Sequence, residues 1–154
     1  MTAQVRLAQP TDAPAIAEVL IESRRVFLPY APMAHPPAEV RAWVAEQLVP
    51  SGRIHVVIER GRVVGFAATS EHESATWLDQ LYVLPGHEGQ GLGSLLLAAA
   101  QDGMRLPMRL YTFQANVGAR RFYERHGYRA VQFTDGSANE ERCPDILYER
   151  SSSK

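Results

Sequence analysis

The stretch Leu78 to Gly93 (LDQLYVLPGHEGQGLG) constrains the fold more than any other part of the chain. It opens as an apolar strand, Leu78 to Leu84, and stops at Pro85-Gly86. Gly89, Gly91 and Gly93 follow at alternate positions and lead into the helix-forming run Ser94-Leu95-Leu96-Leu97-Ala98-Ala99-Ala100. A strand, a glycine-rich turn and a helix in that order build an anion site, because glycine lets the backbone approach a ligand closely and adopt φ > 0. The first helical turn leaves N–H groups unpaired and carries about half a positive charge. A phosphate or pyrophosphate fits there. No Lys-Ser or Lys-Thr follows Gly93, so the turn is not a P-loop. It also lies mid-chain after antiparallel strands, which separates it from the first β-α-β unit of a dinucleotide fold.

The rest of the chain narrows the class of ligand. Its 154 residues suit one domain, expected over residues 1–150, with the Ser-rich tail 151–154 expected to be disordered. Net charge is −1 and no basic run stands out, which argues against nucleic acid as the partner. The single cysteine, Cys143, excludes an internal disulfide, and no metal spacing links the five histidines, so no metal is expected. No apolar run approaches the roughly 18 residues of a membrane span, and the N-terminus lacks a leader's apolar core. A cytoplasmic location is the expectation.

Val5 to Ala8 reads as a first strand. Thr11 offers an N-cap for a helix from Asp12 to about Val26, with Ile16, Val19 and Leu20 at helical spacing and Arg24 continuing the stripe. Leu28 to Pro37 holds four prolines and is a loop. A second helix follows from about Ala38 to Leu48, with Val40, Trp43, Val44 and Leu48 on one face. Arg53–Glu59, Val63–Ser70 and Thr76–Leu84 read as three antiparallel strands. The helix after the glycine turn spans Gln90 to about Asp102, with Leu92, Leu95, Leu96 and Ala99 as its buried stripe and Gly103 as C-cap. Arg109–Phe113 is a strand, Ala115–His126 a helix, and Tyr128–Thr134 and Asp145–Arg150 close the sheet. The class is α+β, a mixed sheet with helices packed on it.

Two motifs in this order resemble the GCN5-related N-acetyltransferase (GNAT) superfamily over nearly the whole chain. Leu81-Tyr82-Val83-Leu84-Pro85 followed by Gly89-Gln90-Gly91-Leu92-Gly93 is similar to that family's acetyl-CoA motif. Asn116 to Tyr128 (NVGARRFYERHGY) is similar to its later N-x-x-A-x-x-F-Y-E-x-x-G-F motif. The resemblance implies a mostly antiparallel, twisted central sheet with a splayed parallel pair, flanked by about four helices. It implies acetyl-CoA as co-substrate, and an N-acetyltransferase acting on a primary amine. One position departs: Glu88 stands where the motif usually has Gln or Arg, and a carboxylate there should repel a pyrophosphate unless it points to water.

The physics of the residues agrees. The backbone around Gly89, Gln90, Gly91, Leu92, Gly93 and Ser94 can line a pyrophosphate. The strand Leu81-Tyr82-Val83 would pair its free backbone groups with the pantetheine arm, as in β-augmentation. By resemblance, an N–H near Val83 polarises the thioester carbonyl. Asn116 and Tyr123 are seven residues apart, close to the about 7.2 residues of two helical turns, so they share a face. By resemblance, Asn116 binds pantetheine amides and Tyr123 is the acid for the leaving thiolate. The acceptor needs a base or a water relay to lose a proton. Asp79, two residues before Leu81 and on its face, is the first choice, with Glu71, His72 and Glu73 in reserve. Direct attack is expected, since Cys143 lies in a polar loop without a nucleophile motif.

Phe27, Tyr30, Met33 and His35 in the proline-rich loop border the acceptor side by resemblance, as does the loop Asp135–Pro144 with Asp135, Glu140, Glu141 and Arg142. The aromatic loop points to an enclosed pocket and hence to a small-molecule amine. Each assignment has a plainer alternative. Tyr123 could be a packed core tyrosine and Asn116 a helix cap. Asp79 could be a half-exposed strand residue, and the aromatic loop a satellite cluster. Two rival functions stay open: acetylation of a peptide N-terminus or lysine, and an acyl-CoA-binding sensor without chemistry. Oligomeric state is also open, a homodimer being frequent in proteins of this resemblance.

Overall fold

A computed structural model describes residues 3–72 and 74–151. The expected tail beyond residue 151 and the reserve base Glu73 lie outside them. Strand β1 (Gln4–Leu7) precedes helix α1 (Ala13–Phe27). Thr11 does not cap α1. Pro10–Asp12 first makes a tight turn, and the Asp12 carboxylate closes it by accepting from Gln9 N–H at 2.7 Å and from Arg6 at 2.7 and 3.1 Å. Asp12 precedes α1 without a side-chain cap to it, its charge serving instead the two donors that come before the helix.

Helix α2 (Pro37–Trp43) is shorter than its apolar spacing predicts. The chain widens into a π-type turn over Val44–Leu48 and narrows again over Val49–Ser51, before Gly52 turns at φ 77°. Val40 and Val44 are buried as expected, whereas Trp43 is exposed.

Strands β2 (Ile54–Glu59), β3 (Arg62–His72) and β4 (Ala75–Val83) form the expected antiparallel meander. Helix α3 (Leu92–Gln101), β5 (Met108–Phe113), α4 (Val117–Arg125), β6 (Arg129–Phe133) and β7 (Asp145–Arg150) complete the chain. One seven-stranded sheet results, in the order β1-β2-β3-β4-β5-β7-β6, and its β4–β5 pair is parallel. The element order and the class are those the sequence predicts.

α1 and α2 cover one face of the sheet and α3 the other. Gly65 of β3 marks the α3 face: a Cβ there would lie 2.9 Å from Tyr82 O and 3.1 Å from a Leu96 methyl. The neighbouring Phe66 points to the opposite face, where it meets the Tyr82 ring at 5.9 Å. The core joins Ile16, Val19 and Leu20 to Ile54, Val56, Phe66, Leu96 and Tyr148, all buried. α3 buries Leu92, Leu96, Leu97 and Ala100, so the stripe is rotated from the expected one and Leu95 is exposed. A run of apolar residues all round α3 does not fix which face turns inward; its contact with β2 and β3 does.

Candidate active site

β4 and β5 separate soon after they meet. They pair at Thr76 with Met108 and at Trp77 with Arg109, and not beyond. The cause is local to β4. Ala68 of β3 faces Gln80 and Thr69 faces Leu78, so Asp79 is an extra residue bulged out of the ladder. A bulge bends and twists its strand. The backbone of β4 from Leu78 onward therefore leaves β5, and a cavity of about 410 Å³ opens between them.

Asp79, Leu81, Tyr82, Asn116 and Tyr123 all line this cavity. The alternation that would place Asp79 on the face of Leu81 is broken by the bulge, yet both reach the cavity wall. Asp79 is exposed at the cavity mouth. Partial removal from water raises its pKa, offset in part by the nearby Ser70 hydroxyl and His72. Glu71 and His72 sit at the far end of β3, both exposed.

Asn116 caps α4, its side-chain oxygen accepting from Ala119 N–H at 3.1 Å. The cap and the cavity wall are thus the same residue. Tyr123 is buried, and burial, with Tyr82 and Tyr128 near it, pushes its pKa well above that of free tyrosine. Its phenol stays protonated, the form an acid needs.

The glycine turn has the predicted build. Gly89 and Gly91 take φ of 79° and 80°, a conformation that penalises any side chain. Gly91 precedes the first residue of α3, and Leu95 N–H bonds back to Gly91 O at 3.1 Å. The N–H groups of Leu92, Gly93 and Ser94 are those that helix geometry leaves without an intrahelical partner. Gly93 lets α3 approach α4, since a Cβ would stand 3.3 Å from the Phe122 ring. The Ser94 hydroxyl is 3.0 Å from His126 Nε2, while His126 Nδ1 is 2.8 Å from Phe122 O, so Ser94 is tied to α4. Gln90 is exposed beside the turn. Glu88 folds back on the turn: its carboxylate accepts from Gly86 N–H at 2.6 Å. Val83 is anchored from the other side, its carbonyl accepting from the buried Ser23 hydroxyl at 3.1 Å.

A second cavity, of about 420 Å³, shares Gln80 and Glu141 with the first. Met33 and His35 of the proline-rich loop line it. Phe27 and Tyr30 line neither cavity; Phe27 is exposed and Tyr30 packs edge-on against Phe113 at 6.4 Å. His35 bridges two elements, with Nδ1 3.2 Å from Glu39 and Nε2 3.1 Å from Glu140. The loop before β7 is held by Asn139, whose side chain bonds Cys143 on both backbone groups, and by the Thr134–Asp145 hydrogen bond. Burial raises the pKa of the Cys143 thiol, which disfavours a thiolate nucleophile.

Sequence reasoning passed over Arg24 and Gln80. Arg24 donates to Ala31 O at 2.9 Å and to Glu141 at 2.8 Å, and its charge lies near the Tyr82 phenol. The charge of Glu141, in the loop before β7, is thereby neutralised. The signals were present: Arg24 continues the buried stripe of Ile16 and Leu20 at steps of four, and Gln80 is polar in the middle of an apolar strand.

The comparisons agree with this geometry. The profile of the acetyltransferase (GNAT) family matches residues 18–128. An uncharacterised N-acetyltransferase of Mycobacterium tuberculosis, Rv2669, is 32% identical over 134 residues, covering 77% of this chain and 84% of its own. Among solved structures, the PaiA N-acetyltransferase of Thermoplasma acidophilum in complex with coenzyme A superposes with a TM-score of 0.76 at 20% identity, covering 99% of this chain and 100% of its own. Arabidopsis thaliana Naa50, in complex with the bisubstrate analogue CoA-Ac-MVNAL, does so with 0.73 at 17% identity, covering 99% and 100%. With a family profile over most of its length, on a fold that splays β4 from β5 beside a glycine-capped helix, this chain belongs to the GNAT acetyltransferase family.

Proposed function

We propose that the protein transfers acetyl from acetyl-CoA to the primary amine of a small molecule, with Asp79 as base and Tyr123 as acid. The observation that carries the reading is the single cavity between the splayed strands, which has both side chains on its wall. The residues present fit acetyl-CoA. The glycine turn and the first turn of α3 offer N–H groups to its pyrophosphate, and the unpaired edge of β4 offers hydrogen bonds to its pantetheine amides. Acetyl-CoA supplies the activated acetyl group. Asp79 takes a proton from the amine, directly or through a water, as nitrogen attacks the acetyl carbon. The carbon–sulfur bond breaks, and Tyr123 gives its proton to the leaving sulfur or holds the thiolate by a hydrogen bond. A free phenol has pKa about 10 against about 8.5 for a thiol, and burial widens that gap, so hydrogen bonding is the larger part of its role.

Incubating the protein with acetyl-CoA, a panel of amines and a thiol reagent tests this. Thiol release that depends on a small amine is expected. Binding of acetyl-CoA with no release on any acceptor would make the protein a sensor. The peptide bound in the Naa50 complex is reason to include N-terminal peptides and lysine peptides in the panel. Release confined to those would move the acceptor class to proteins.

A further inference from the structure

His126 stands where two helix ends meet. It follows the last residue of α4, and its ring reaches the first turn of α3. Nδ1 is 2.8 Å from Phe122 O. A carbonyl only accepts, so in the neutral ring Nδ1 carries the hydrogen and Nε2 is bare. The Ser94 hydroxyl, 3.0 Å from Nε2, then gives its one hydrogen to the ring. What Ser94 has left to show an anion is lone pairs. A second proton on the ring reverses the bond: Nε2–H donates to Ser94 Oγ, and the hydroxyl hydrogen is free for an anion.

The surroundings tie that proton to the cofactor. Ser94 is the third residue of α3, in the turn whose N–H groups have no intrahelical partner. A charged ring is disfavoured by the N-terminal end of α3 and favoured by the C-terminal end of α4. A pyrophosphate bound at the turn tips that balance toward the charged form. Ser94 and His126 are both half-buried, so water screens the effect only in part. Among the described residues, neither ring nitrogen has a carboxylate partner that would hold the charge in advance. α3 carries no titratable side chain. On α4, Glu124 accepts from the Tyr148 hydroxyl at 2.8 Å, Arg125 lies over the Phe122 ring at 6.0 Å and Arg121 is exposed, as is Arg129 beyond it. In the glycine turn, Glu88 accepts from Gly86 N–H and His87 is 3.0 Å from Glu59.

Resting on the acetyltransferase reading, we propose that His126 is a positioning residue for acetyl-CoA: it takes up a proton as the pyrophosphate binds, and through Nε2 turns the Ser94 hydroxyl to donate to a phosphate oxygen. The proton comes from solvent and returns when the cofactor leaves. The ring holds its proton more tightly in the complex, so binding is tighter at low pH and weakens as pH rises through the range where histidine loses its charge.

The test is calorimetry on the full chain with acetyl-dephospho-CoA, because the 3′-phosphate of acetyl-CoA itself titrates at pH of about 6 and this probe lacks it. Its affinity should rise about tenfold from pH of about 8.5 to about 5.5, the size of one charge-assisted hydrogen bond over a neutral one. Titrations in two buffers of different ionisation heat should show net proton uptake. Ser94→Ala, which keeps a good helix former, should bind at low pH as weakly as the unsubstituted protein does at high pH. His126→Gln should lose the pH dependence as well. An affinity independent of pH overturns the proposal, and so does a pH dependence that His126→Gln retains, which would move it to His87. A pH dependence that Ser94→Ala retains overturns the relay, and binding without proton uptake overturns the role of the ring. Should His126→Gln not fold, Ser94→Ala and the pair of buffers decide. If acetyl-CoA fails to bind at any pH, the acetyltransferase reading fails and takes this inference with it; binding that ignores pH removes the inference alone.

Discussion

Ser70 and Asp79 come close across the bulge between β3 and β4, the Ser70 hydroxyl near enough to the Asp79 carboxylate to offset part of the rise in its pKa. The irregularity that parts β4 from β5 is therefore also what presents the candidate base. Asp79→Asn should lower kcat/KM for the acceptor by about 10²–10⁴-fold, the usual worth of a general base. The wild-type acidic limb should lie above the ordinary carboxylate range, since removal from water raises the Asp79 pKa. Asn should abolish that limb. The raised pKa also fixes the sign for stability: the contribution of Asp79 is present at low pH and lost as pH rises through its folded value. Asp79→Asn should raise the melting temperature at pH 7 and leave it unchanged below pH of about 4. A pH–rate profile of the variant and melting curves at both pH values check these outcomes.

Tyr123→Phe should reduce turnover by about 10²-fold or more while changing acetyl-CoA affinity by less than about threefold. Because burial holds the phenol protonated, the wild-type rate should show no basic limb from Tyr123 through pH of about 10. Steady-state kinetics beside calorimetric titration of acetyl-CoA separates the two effects. Equal turnover of the two proteins would return Tyr123 to a packing role.

Gly65→Ala should disturb fold and site together. The added methyl would press on Tyr82 O at 2.9 Å, on a Val57 methyl at 3.0 Å and on a Leu96 methyl at 3.1 Å. Overpacking of this kind costs about 1–3 kcal/mol, and backbone cannot move aside as a side-chain tip can. Urea unfolding should show that loss. Weaker acetyl-CoA binding should accompany it, because the displaced carbonyl belongs to β4.

Asp12→Asn should destabilise the protein by about 1–2 kcal/mol at pH 7, through weakened bonds to Arg6 and to Gln9 N–H. Arg6 holds the Asp12 pKa below the usual carboxylate value. Its stabilising effect is thus present above the unfolded pKa of about 3.9 and lost as pH falls through the folded value. The gap between the two proteins in urea unfolding should narrow below pH of about 4. A gap independent of pH would mean that charge plays no part.

Glu88→Gln should change acetyl-CoA affinity by less than about threefold at physiological salt, where exposed charges are screened. Glutamine keeps an oxygen for Gly86 N–H, so the fold-back seen for Glu88 can persist. A much larger gain in affinity would place the carboxylate against the pyrophosphate.

The chain order of elements was legible in the sequence because periodicity and glycine or proline punctuation are local. So was the glycine turn: Gly89 and Gly91 take a positive φ that backbone sterics alone reserve for glycine, whereas Gly93 is small because Phe122 packs against it. Asn116 and Tyr123 could be placed on one helix face by counting turns. Tertiary structure decided the rest. The bulge at Asp79 depends on how β3 is registered against β4, and no property of Asp79 itself announces it. The inward face of α3 was undetermined because leucines surround that helix, and contact with the sheet chose Leu97 over Leu95. Arg24 and Glu141 lie far apart in sequence, so their pairing, which neutralises the charge of Glu141, exists only once α1 and the loop before β7 are folded together. Gln80 was an ordinary strand residue until the fold closed its oxygen away from every donor.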